Sequence, residues 1–142
     1  MTALLIPLLF LTQAVAPTFD QIKAEPNLER RAKIAVEFAA QAERAAEAAY
    51  SNSDLPAVAE ALKNMVNGME LAKEALDLTG RSANRHPGPF KWVELKSQEI
   101  LGRLGDLEKR MDADERDMVV KPRSRVQDIH DAWFDGIMSK KR

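Results

Sequence analysis

Cysteine is absent from the 142 residues, which excludes disulfides, thiol catalysis, thiolate metal sites and a lipid-modified N-terminal cysteine. An excess of either charge is also missing. The 21 basic and 22 acidic side chains leave a formal net charge of -1, so no broad field attracts nucleic acid, and no nucleic-acid partner is expected. Glycine is scarce, and its six occurrences form no GxxxxGK[ST] phosphate loop, GxGxxG turn or GxSxG elbow. Histidine occurs twice, without an HExxH pair. Strict alternation of apolar and polar residues over a strand length does not occur, so no sheet is expected. With 45% hydrophobic residues, one packed core is within reach without metal or crosslink.

Long apolar runs are lacking as well. The longest, Ala3 to Leu11, reaches about 14 Å at ~1.5 Å per residue, against ~30 Å for a bilayer interior. Its length matches the core of a secretory signal, and Pro7 would disrupt a buried helix there. Small residues follow at Ala14, Val15 and Ala16. Residues 1–16 are therefore expected to be a signal peptide cleaved after Ala14 or Ala16, the first option avoiding Pro17 at the new amino terminus. No Lys or Arg precedes the run, which points to a start further upstream. The mature chain, 17–142, is expected to be a single exported domain, periplasmic or extracellular, with no membrane span.

What remains reads as helix. Phe19 and Ile22 stand three apart, enough for one turn that clasps the body. From Asn27, a good N-cap, Leu28, Ala32, Ala35, Ala39, Ala42, Ala46 and Ala49 recur by four and three, with Ile34 and Phe38 beside them. Glu37, Glu43 and Glu47 are assigned to the outer face. A second helix, capped by Asp54 and ended by Gly80, carries Leu55, Val58, Leu62, Met65, Met69, Ala72 and Leu76. Large side chains on one helix thus face alanines on the other, and Ser51-Asn52-Ser53 joins them as an antiparallel hairpin, about 27–50 and 54–79.

After the Pro- and Gly-bearing connector "RSANRHPGPFK" comes a third long helix, about 89–112, with Phe90, Val93, Ile100, Leu104, Leu107 and Met111 on one face and Leu95 and Leu101 beside it. Gly102 and Gly105 inside it predict a close crossing or a bend. "DADERDMVVKPRSR" reads as linker, and Ser124 caps a shorter last helix, about 124–138, carrying Val126, Ile129, Trp133, Phe134, Ile137 and Met138. The fold class is all-α.

The stretch "AAYSNSDLPAVAEAL", residues 48–62, resembles the turn of a tetratricopeptide hairpin: an aromatic near the end of one helix, a polar turn with Asp, then an Ala-rich helix. The family's signature Trp, Gly and closing Pro are not at their places, and the flanking helices are longer. The likeness implies a helical pair of a kind used for protein contacts. The chain is also similar to small, secreted, all-helical bacterial proteins, which implies no activity.

Chemistry-bearing residues are sparse. His130 lies among Asp128, Asp131 and Asp135, but neighbours on a helix point about 100° apart, and the three Asp read as a solvated stripe. "DADERD" fails as a calcium loop because its sixth position is Asp117 and its twelfth Arg123. Glu94 and Glu99 read as solubilising charges. No cofactor, metal or catalytic residue is assigned. Arg81, Arg85, His86, Lys91 and Trp92 form a basic and aromatic group suited to an acidic partner or a glycan. A non-catalytic module that binds a protein or envelope partner is the first expectation. A carrier of a small apolar ligand or lipid is the alternative, and a carboxylate-dependent hydrolase the second. Composition is silent on oligomeric state.

Overall fold

The computed structural model describes residues 16–139, and among them every regular element is helical: α1 (Phe19–Lys23), α2 (Leu28–Ser51), α3 (Leu55–Leu78), α4 (Pro87–Arg110) and α5 (Asp117–Met138). The expected signal peptide lies outside the described residues apart from Ala16, as do Lys140 to Arg142. No helix among them is long and apolar enough to cross a membrane.

Local chemistry starts the first three helices where the sequence suggests. Thr18 and Gln21 form a reciprocal capping box on α1, Asn27 Oδ1 accepts from Arg30 N at 3.0 Å, and Asp54 Oδ1 accepts from Ala57 N at 3.2 Å. α1 is the clasp foreseen from Phe19 and Ile22. Ile22 is buried, and the Phe19 ring lies 6.0 Å from that of Phe38 on α2. Past α3, Gly80 takes φ 66°, a left-handed conformation that strains most side chains.

α2 and α3 make the most extensive pairing among the described helices. A Cβ on Gly68 would stand 2.9 Å from the Ala35 carbonyl oxygen and 3.1 Å from the Ala39 methyl, so the backbones meet where one helix has glycine and the other alanine. Val58, Met65, Met69 and Ala72 fill the seam. α4 and α5 form a second antiparallel pair, tied by Glu108–Arg123 at 2.7 Å and Glu94–His130 at 2.9 Å.

The two hairpins stack with parallel neighbours. Tyr50 Oη donates to the Arg110 carbonyl and Arg103 pairs with Glu43, both sixty residues apart, so α2 and α4 run in the same direction. Arg125 of α5 pairs with Glu70 of α3, and Asn84 beyond the end of α3 meets Ser139 just past α5, each fifty-five apart, so α3 and α5 also run in the same direction. α3 touches α2 and α5 but hardly α4. Consecutive helices α3 and α4 therefore occupy opposite corners of a four-helix bundle, and the segment 79–86 crosses the diagonal at one end.

Four expectations are corrected here. The last helix begins at Asp117, not Ser124, and runs through Pro122. A proline inside a helix costs about 3 kcal/mol, but Val119 and Val126 on the same stripe are fully buried at about 1.5–3 kcal/mol each, so packing outweighs the break. α4 begins at Pro87 because prolines in a first turn remove donors that have no partner inside the helix anyway. Leu95 is 58% exposed and Phe134 44%, each one position past a buried residue on its helix and so rotated off the core face. The paired glycines of α4 make no close crossing: Gly102 faces open space, and Gly105 meets only the Arg123 guanidinium at 3.6 Å.

Candidate functional site

The crossover segment is held at both ends and in the middle. Arg81 pairs with Glu29 at 2.8 Å, Ala83 is buried against Gly136 of α5, and Asn84 Nδ2 donates to the Ser139 carbonyl at 3.3 Å. Between these anchors the Ser82 carbonyl accepts from the backbone N–H groups of Arg85 and His86, turning both side chains outward. Arg81, Arg85 and His86, with Gly80, Ser82, Asn84 and Ser139, line one open concavity of about 530 Å³. Arg85 and His86 are exposed, and neither forms an ion pair among the described residues.

Lys91 and Trp92 do not join them. Because α4 starts at Pro87, these two residues belong to the helix and not to the loop. Trp92 is half-buried, and the ammonium groups of Lys33 and Lys96 stand 5.7 and 5.9 Å from its ring centre, so its π face is already engaged. The five residues grouped from sequence thus divide into a basic concavity and a separate aromatic–lysine cluster.

Two ionisable clusters escaped the sequence reading. Glu94, expected at the surface, is buried, and its Oε1 meets His130 Nε2 at 2.9 Å and the Gln98 amide. His130 Nδ1 lies 3.0 Å from Asp131 Oδ1, so neighbouring side chains that leave the helix about 100° apart nevertheless converge. Both ring contacts are donor–acceptor pairs when each nitrogen carries a proton. The hydrogen bond from His130 holds the Asp131 carboxyl below the usual carboxylate range, helped by one from Gln127. Ser97, the nearest hydroxyl along α4, is committed to the Glu94 carbonyl at 2.6 Å. The signal was present in the spacing, since Glu94 falls among Phe90, Val93, Ser97 and Ile100 on the inward face.

Glu43 is the second correction of this kind. It was assigned to the outer face, yet it stands between Ala39 and Ala46 on the buried ridge and is wholly buried. Its Oε2 meets Arg103 Nε of α4 at 3.0 Å, and the same guanidinium reaches Glu47 Oε2 at 2.8 Å. Its other oxygen has no hydrogen-bond partner among the described residues.

The carboxylates at the α4–α5 turn have a structural explanation. Oxygens of Asp112, Asp114 and Glu115 lie within 4.8 Å of one another, but Glu115 Oε1 accepts from Asp112 N at 3.2 Å and from Tyr50 Oη at 3.3 Å. They close a turn and tie it to α2. No family model matches the chain, and searches of curated proteins and of solved structures give no match to it.

Proposed function

We propose that this chain is an exported, non-catalytic binding module that presents the crossover end of its bundle to an acidic protein or envelope partner. The observation that carries the reading is the convergence of Arg81, Arg85 and His86 on one open concavity, the latter two without an internal ion-pair partner among the described residues. Guanidinium groups in such a place give long-range attraction and forked hydrogen bonds to carboxylate or phosphate groups. Export is supported by the apolar run at residues 3–11 and by the position of Thr18, the first capping residue, just beyond both proposed cleavage sites.

The carrier reading has less behind it. The cavities of about 540, 530 and 430 Å³ are open and lined largely by polar and charged groups, and Met65, Met69 and Met111 are consumed by the core. The hydrolase reading has one supporting feature, the Glu94–His130–Asp131 cluster, which can hold and pass a proton but has no hydroxyl aimed at it among its hydrogen bonds. Crosslinking in the envelope fraction tests the favoured reading. Arg85→Glu is expected to abolish a crosslinked species that Lys91→Glu retains, and species indifferent to Arg85 would remove the concavity from consideration. Hydrolysis lost specifically in His130→Gln would instead favour the enzyme.

A further inference from the structure

We infer that Glu43 and Glu47 share one proton across Arg103, making the α2–α4 seam a pH-sensitive clamp that tightens on acidification and loosens when the proton leaves. The inference is independent of the partner reading.

Its basis is a charge imbalance at a buried place. Two carboxylates one helical turn apart on α2 meet a single guanidinium from α4, at 3.0 Å for Glu43 and 2.8 Å for Glu47. With both ionised, the cluster carries one uncompensated negative charge. Glu47 and Arg103 keep some contact with water, whereas Glu43 keeps none. An ionised Glu43 would therefore hold charge in an apolar setting while one of its oxygens has no donor. A proton between the two carboxyl groups removes the excess charge and supplies the hydrogen bond that joins them. No charged group of α1 or α3, the other elements packed on α2, acts on Glu43; only Glu47 and Arg103 do.

The electrostatics agree with the geometry. Burial, then the hydrogen bond and repulsion from Glu47, push Glu43 from 4.5 to about 7, against the opposing pull of Arg103. A carboxyl raised on folding binds, between those two values, a proton that the unfolded chain does not. Stability contributed by this group is thus greatest at the acidic end of that window and falls as pH rises through it.

The experiment is a carbon-13 carboxyl NMR titration of the full chain, paired with denaturant unfolding at pH 5.5 and 8.5. The Glu43 carboxyl is expected to titrate near neutrality, and Glu47→Gln to move that titration downward by removing the neighbouring charge. The unfolding constant of the unsubstituted chain should rise between the two pH values by about thirtyfold more than that of Glu43→Gln, which resembles the protonated side chain. A Glu43 resonance titrating in the ordinary carboxylate range overturns the inference. So does an identical pH dependence in the unsubstituted chain and Glu43→Gln. Should Glu43→Gln fail to fold, the NMR titration alone still decides.

Discussion

The two hairpins of this bundle are cemented differently. In α2–α3 the contact is between small groups at the backbone and large groups beside it: Gly68 on Ala35 and Ala39, with Val58, Met65 and Met69 filling the seam. In α4–α5 the helices also bury Leu104, Val126 and Ile129, but their shared edge is charged. Glu94–His130 and Glu108–Arg123 bridge it, and a groove of about 540 Å³ lined by Leu101, Gly102, Gly105 and Arg123 runs beside it. The α2–α3 seam is closed by packing, whereas the α4–α5 edge adds charged pairs to its packing; the Glu43–Glu47–Arg103 cluster joins the two hairpins and belongs to neither seam.

Substitutions can break that contrast or sharpen it. The largest effect is expected in the first hairpin: Met69→Ala leaves a cavity in a fully buried seam and should cost about 3 kcal/mol in urea unfolding. A loss under about 1 kcal/mol would mean that the seam collapses around the gap and is looser than described. Next, His130→Ala strands the buried Glu94 carboxylate and should cost about 2 kcal/mol by the same measurement. Retention of full stability would show that water replaces the ring.

The same change at two glycines gives the sharpest test. At Gly68 an added methyl group meets a carbonyl oxygen at 2.9 Å, so Gly68→Ala should destabilise by about 1.5 kcal/mol despite the better helix propensity of alanine. Gly102 has nothing within 4 Å of its Cβ position, so Gly102→Ala should stabilise by up to about 1 kcal/mol. Thermal unfolding of the pair reads both, and a common sign would erase the proposed difference between the hairpins.

Legibility followed the same division. For α2 and α3, periodicity and caps located the boundaries to within a residue, because alanine against methionine at steps of three and four leaves little freedom of interpretation. For α5, the polar stretch 112–125 reads as linker, and only the burial of Val119 and Val126 against the rest of the bundle reveals why the helix runs through its second half. Glu43 and Glu94 were misplaced for a related reason. A charged residue on an inward ridge is read as outward when its partner, Arg103 or His130, comes from a helix whose neighbour relations are not written locally. The candidate concavity was half legible: Arg81, Arg85 and His86 are contiguous in the chain, but their separation from Lys91 and Trp92 depends on where α4 begins.

The crossover carries one more consequence. Since segment 79–86 spans opposite corners, a trypsin cut after the exposed Arg85 severs the link between hairpins while leaving each hairpin whole. Cohesion of the nicked molecule would then depend on the noncovalent parallel contacts of α2 with α4 and of α3 with α5. Its survival on a sizing column at different pH values would report their strength without a single substitution.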